Sequence, residues 1–98
     1  DDIIDTGGTF TRAVEALQAN GTVEIYGACT HPVLSGNAVE RIENSAVARV
    51  TVTDTIPLKV RSQKIEVQSV SKLFAEAITR SHLNKSISSL FDVDKDKI

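Results

Sequence analysis

Short runs rich in β-branched residues alternate with segments whose apolar residues recur at helical spacing, and this alternation confines the chain to few architectures. Over 9–20, Phe10, Ala13, Val14 and Leu17 form an apolar stripe with Gly21 as a stop, which predicts a helix. "TVEIYGACT" (22–30) is short, apolar and β-branched, as buried strands are. "HPVLSG" carries Pro32 and Gly36 and reads as a loop. Asn37, with Glu40 three positions on, fits a capping pattern for a helix over 37–44, with Ala38, Val39, Ile42 and Ala46 inward. "ARVTVTDT" (48–55) alternates Val50 and Val52 with threonine, a strand signal. Pro57 and the charged "KVRSQK" mark a turn, and "IEVQSV" (65–70) is a further strand. "SKLFAEAITRSHL" (71–83) is an amphipathic helix with Leu73, Phe74, Ala77 and Ile78 inward, and "SISSLF" is a short apolar close. Together these elements predict an α/β fold, a largely parallel sheet flanked by helices, over residues 1–91. The polar "DVDKDKI" (92–98) is expected to be a disordered tail.

Composition excludes several classes of partner. The 98 residues allow one small domain, and a hydrophobic share of 41% is that of a globular chain. Eleven basic against thirteen acidic side chains give a net charge of −2, so no basic field exists to hold a nucleic acid or an anionic membrane. With no Trp, one Tyr and three Phe, little aromatic surface is available for stacking bases. Cys29 is the only cysteine, which rules out a disulfide framework or cysteine-based zinc cluster and favours a reducing, cytoplasmic setting. No apolar run approaches the roughly 18 residues of a membrane span, and the acidic start has no signal-peptide pattern. The chain opens inside a motif and without an initiator Met, so a piece of a longer protein is expected.

That opening motif is "DDIIDTGGTF", a small-residue turn between a short apolar run and a helix start. Gly7 and Gly8 leave the backbone unobstructed, so consecutive N–H groups can point at one anion. The helix starting near Thr9 adds unpaired N–H groups and the positive end of its dipole, and Thr6 and Thr9 supply hydroxyl donors. Asp1, Asp2 and Asp5 bring negative charge to the same stretch, but ionised carboxylates only accept hydrogen bonds. They suit sugar hydroxyls, or a Mg²⁺ ion bridging to them, at the other end of a phosphorylated sugar. Ribose 5-phosphate has both ends. No Lys follows the glycines as in a Walker loop, and "TGGTF" does not fit the dinucleotide fingerprint G-x-G-x-x-G. The plainer alternative is an acidic turn with Asp5 as helix N-cap.

"DDIIDTGGT" resembles the phosphoribosyl-diphosphate-binding motif of type I phosphoribosyltransferases. "YGACTHPVLSGNAVERIENS", "VTVTDTIPL", "LFAEAITRSH" and "SISSLF" are together similar to the ribose-phosphate pyrophosphokinase family, from Asp1 to Phe91. The resemblance implies the C-terminal part of a type I phosphoribosyltransferase-like domain, incomplete on its N-terminal side. It also implies a whole enzyme that transfers a diphosphoryl group from Mg-ATP to the 1-hydroxyl of ribose 5-phosphate, yielding phosphoribosyl diphosphate and AMP. Asp5, Thr6, Gly7, Gly8 and Thr9 would hold the 5-phosphate and Asp1 the ribose hydroxyls, with Asp2 supporting the sugar or the loop. Ser86, Ser88 and Phe91 resemble positions of the family's allosteric phosphate/ADP site, while Ser89 and the tail depart from its pattern. The resemblance further implies a homohexamer, with the ATP half, most Mg²⁺ ligands and the mobile catalytic loop upstream of Asp1. The resemblance implies no catalytic residue in this segment, which is expected to be inactive alone.

Two rival readings share the loop: a nucleotide-salvage phosphoribosyltransferase and a non-catalytic regulatory homologue of the synthetase. A free-standing sugar-phosphate binder is a further one. Elsewhere, His31 at a strand end is either a contact for substrate or a neighbouring subunit, or a structural hydrogen-bonding group. His82 is expected to sit at a helix C-terminus or face solvent, and Cys29 to be a buried small residue. "DVDKDK" lacks the Gly and Glu of a calcium loop.

Overall fold

The computed structural model describes residues 1–91 of the chain, so the tail expected over 92–98 lies outside the described residues. Five strands, three α-helices and a closing 3₁₀ turn follow one another: β1 Ile3–Ile4, α1 Gly8–Ala19, β2 Tyr26–Ala28, β3 His31–Pro32, α2 Ala38–Asn44, β4 Arg49–Thr53, β5 Ile65–Gln68, α3 Ser71–His82, then Ser88–Phe91. All the strand pairs are parallel: β1 with β3, β2 with β4, and β4 with β5. Because β2 and β3 are successive pieces of one extended stretch, the ladders join. Cys29 N–H donates to the Thr51 carbonyl at 3.0 Å on one side, and His31 N–H to the Asp2 carbonyl at 2.8 Å on the other. The expected largely parallel α/β sheet is therefore present.

The sheet buries one face. Val50 and Val52 of β4 are fully enclosed; Val50 is in register with Ile65 of β5 and Gly27 of β2, and Val52 with Val67 of β5. Ile4, Val14, Ile25, Cys29, Ile42 and Val47 complete the core, with Phe10, Leu34, Val39 and Leu58 packed against it. Helix α1 reaches the sheet through Phe10, whose ring lies so close to β2 that a Cβ on Gly27 would stand 2.5 Å from it. A side chain there would force the ring to move. On the opposite face Tyr26, Glu66 and Gln68 are exposed, as alternation along the strands requires.

Several boundaries differ from the sequence expectation. The strand expected over 22–30 shortens to Tyr26–Ala28, and Val23 is 98% exposed in the connection before it. Part of the expected loop pairs instead as β3. Pro32 is tolerated because the donors to β1 come from His31 and Leu34, so its missing N–H removes no bond on that side. The capping pattern of Asn37 with Glu40 makes no side-chain hydrogen bond, and α2 ends before Ala46, which is exposed. In α1 only Val14 is buried; Phe10 is half-buried, and Ala13 and Leu17 are exposed.

The inward stripe expected on α3 is also corrected. Phe74 and Ile78 are 51% and 70% exposed, and only Leu73 and Ala77 are half-buried. The helix leaves the edge strand β5, where no described residue forms a second layer against it. Its start is held from β4 instead: Asp54 accepts the Ser69 hydroxyl at 2.6 Å and the Val70 N–H at 2.9 Å. Those two donors hold the Asp54 carboxyl below the usual carboxylate range. Burial, in contrast, pushes the Cys29 thiol above its ordinary value.

Candidate functional site

Strand β1 lies between the two halves of the opening motif. Alternation along it turns Ile4 into the core at 2% exposure and leaves Ile3 51% exposed. Asp1 and Asp5 fall on the same side as Ile3, whereas Asp2 falls on the side of Ile4. The rise of an extended chain puts Asp1 and Asp5 about 13 Å apart along the strand. Asp1 and the glycine turn thus share a face of the extended segment. Asp1 and Asp2 are both exposed, and Asp1 Oδ1 accepts the Asp2 N–H at 2.8 Å.

After β1 the chain turns sharply into α1. Gly7 takes φ 81°, a left-handed conformation that a side chain disfavours, and it packs where a Cβ would stand 3.6 Å from Ala38 Cα. Gly7, not Asp5, is the N-cap residue, and no side chain caps the helix. The N–H groups of Gly8, Thr9 and Phe10 begin α1 without intrahelical acceptors. Thr11 closes the turn from within, its hydroxyl donating to the Gly7 carbonyl at 2.9 Å. Thr6 and Thr9 are exposed. Gly8 is half-buried and Gly7 is buried against α2, so the turn meets solvent through Asp5, Thr6 and Thr9.

The turn is braced from the loop before α2. That loop enters the left-handed region at Leu34, φ 49°, and Gly36, φ 59°. It donates Leu34 N–H to the Ile4 carbonyl at 3.0 Å and Ser35 N–H to the Asp5 carbonyl at 2.9 Å. The Ser35 hydroxyl donates to Asp5 Oδ1. One turn into α2, Arg41 Nη1 donates to the Thr6 carbonyl at 3.2 Å. Neither Ser35 nor Arg41 is singled out in the sequence reading. Their one signal is the dense "THPVLSGNAVERI" stretch, where Arg41 adjoins the fully buried Ile42.

Asp1 also walls a shallow cleft of about 360 Å³ with Thr30, Thr51, Thr53, Gln68 and Ser69. It lies at the carboxyl ends of the parallel strands, where α/β folds accept ligands. His31 Nδ1 pairs with Thr55 Oγ1 at 2.8 Å, the structural hydrogen bond among its two readings. Ser86 and Ser88 are exposed beyond α3, and Phe91 ends the 3₁₀ turn. Arg80 Nη1 donates to the Ser86 carbonyl at 3.3 Å and to Ser89 Oγ, which draws this segment back onto the helix.

The chemistry of the turn favours an anion despite Asp5. A hydrogen bond to a charged group contributes about 1.5–3 kcal/mol, and three amides are available. A solvated carboxylate about 4 Å away opposes with about 1 kcal/mol. The amides win. Among the described residues no group of three or more His, Cys, Asp or Glu side chains gathers to hold a metal. No helix among the described residues is long and apolar enough to cross a membrane.

Residues 1–92 match the family model described as the phosphoribosyl synthetase-associated domain. The ribose-phosphate pyrophosphokinase of Oceanobacillus iheyensis is 54% identical over 94 residues, covering 94% of this chain and 30% of that protein. That of Bacillus subtilis is 52% identical over 93 residues, covering 93% and 29%. Among solved structures, phosphoribosylpyrophosphate synthetase from Mycobacterium smegmatis superposes with a TM-score of 0.83 at 37% identity, over 86% of this chain and 29% of that one. The chain therefore spans about 30% of the length of the curated relatives it matches. Sequence, parallel topology and the glycine turn agree: this chain belongs to the phosphoribosyl synthetase-associated domain family.

Proposed function

We propose that the chain is the sugar-phosphate-binding part of a ribose-phosphate diphosphokinase. Ribose 5-phosphate docks with its phosphate on the amides of Gly7, Gly8 and Thr9 and the hydroxyls of Thr6 and Thr9. Asp5 orders the turn through Ser35, and Asp1 accepts hydrogen bonds from the ribose hydroxyls. Asp2, on the other side of β1, supports the sugar indirectly. In the reaction the 1-hydroxyl oxygen forms a bond to the β-phosphorus of ATP, and the bond from that phosphorus to the α–β bridging oxygen breaks. AMP leaves with the bridging oxygen, and the hydroxyl proton is released. A Mg²⁺ ion, held by ligands mainly outside this segment, would supply charge neutralisation at the nucleotide phosphates.

The observation that carries this reading is the left-handed Gly7 leading into an uncapped α1, on the strand face shared by Asp1 and Asp5. Cations that position the transferring phosphates are not part of the turn, so the 98 residues alone are proposed to bind without catalysing. The full-length protein is proposed to act in the cytoplasm as a homohexamer, with Ser86, Ser88 and Phe91 contributing to a regulatory phosphate or ADP site.

The test is saturable ribose 5-phosphate binding to the full-length protein and to its Asp5→Ala and Gly8→Val variants, beside turnover assays. A sharp loss of affinity in both variants is expected, with product formed from ATP and ribose 5-phosphate. Unchanged affinity in both, or turnover only with a nucleobase and phosphoribosyl diphosphate, contradicts the proposal.

A further inference from the structure

We infer that Arg41 of α2 is a positioning residue for the sugar phosphate: it aims the amide turn and supplies the positive charge that the turn itself lacks. The inference rests on the ribose-5-phosphate reading of that turn and adds a residue to it.

Three observations converge on Arg41. First, Nη1 donates to the Thr6 carbonyl at 3.2 Å, across thirty-five residues of chain. The peptide joining Thr6 to Gly7 is planar and trans, so its C=O and N–H point in opposite directions. Anchoring the Thr6 oxygen on a guanidinium therefore turns the Gly7 N–H away from Arg41, and a carbonyl that would repel an anion is drawn aside. Second, the same Nη1 lies 3.4 Å from the position a Gly8 Cβ would take, so the guanidinium sits against the first residue of α1. Its charge adds to the positive helix end and offsets the neighbouring carboxylates of Asp1, Asp2 and Asp5. Third, the base of Arg41 is rigid. Ala38 and Ile42, flanking it on α2, are both 0% exposed, and Ala38 is also the residue on which Gly7 packs. Helix α2 thus sets the turn and its cation from one platform. Arg41 itself is exposed, so its head group can be changed without opening the core.

The experiment compares Arg41→Gln and Arg41→Lys in the full-length protein, with Asp5→Ala as reference, by steady-state kinetics against ribose 5-phosphate and Mg-ATP. Arg41→Gln is expected to raise KM for ribose 5-phosphate about tenfold, the loss of one charge-assisted hydrogen bond, with kcat and KM for ATP preserved. Arg41→Lys keeps the charge but loses the planar fork, and should fall between Gln and wild type. The rise of KM with ionic strength should be shallower in Arg41→Gln than in wild type, which a purely structural residue would not produce. An unchanged KM in Arg41→Gln beside a raised one in Asp5→Ala overturns the role of Arg41 and leaves the turn assigned. Unchanged values in both remove the turn as well. Melting temperatures that fall in step with KM in both Arg41 variants also overturn the inference and assign Arg41 to the fold.

Discussion

Ser35 grips Asp5 twice across thirty residues of sequence: its hydroxyl donates to Asp5 Oδ1 and its main-chain N–H to the Asp5 carbonyl at 2.9 Å. The carboxylate that precedes the glycine turn is thereby held by the loop before α2. Ser35→Ala removes the side-chain bond and leaves the main-chain one. A net hydrogen bond of about 1 kcal/mol corresponds to a roughly fivefold weaker ribose 5-phosphate affinity. Isothermal calorimetry on the full-length protein checks this. A change as large as that of Asp5→Ala would show that Ser35 acts on more than Asp5.

The Phe10 ring of α1 packs directly on Gly27 of β2, leaving no room for a Cβ unless the ring moves. Gly27→Ala places a methyl where the ring now stands, and overpacking of this kind costs about 1–3 kcal/mol. Because the clash lies with one side chain, Phe10→Leu in the Gly27→Ala background should recover part of the loss. Urea denaturation of the two single variants and the double variant measures the coupling. Strictly additive effects would contradict the contact.

Both expectations concern features of different legibility. The α/β class was readable because β4 alternates Val50 and Val52 with threonine while α1 and α3 carry helical periodicity. The glycine turn is legible because two adjacent glycines stand between a short apolar run and a helix start. What could not be read depends on distant pairing. Nothing local marks His31 and Pro32 as a strand, since β3 exists only because β1 supplies its partner. The sequence of α3 does carry an apolar stripe, but periodicity reports which face is apolar and not whether anything covers it. Arg41 is illegible for a similar reason: an arginine among charged helix residues becomes informative only when the fold brings Thr6 to its side chain.

Asp54 links stability to pH. The Ser69 hydroxyl and Val70 N–H lower its folded-state pKa beneath the unfolded value, so the folded state favours the ionised form. Its contribution is fully present above the unfolded carboxylate pKa of about 3.9 and is lost as pH falls through the lower folded value. Asp54→Asn should melt at a lower temperature than wild type near neutral pH. The gap should narrow progressively below about pH 4. Differential scanning calorimetry across that range is the check, and a gap that widens on acidification would contradict the assignment.

Cys29 is 5% exposed, and its burial raises the thiol pKa, so little thiolate is available to a reagent. Iodoacetamide at mildly alkaline pH should leave the Cys29-containing peptide unmodified in the native protein and label it fully after denaturation. Mass spectrometry of the digested protein reads the outcome directly. Rapid native labelling would mean that the strand between β2 and β3 opens readily.

The most direct measurement is a crystal structure of the full-length protein with ribose 5-phosphate bound. The expected result is phosphate oxygens within hydrogen-bond distance of the main-chain N–H groups of Gly7, Gly8 and Thr9, and ribose hydroxyls facing Asp1. An empty turn with the sugar phosphate seated elsewhere, or a reversed ligand with its hydroxyls on the glycines, would contradict the division of labour between amides and carboxylates.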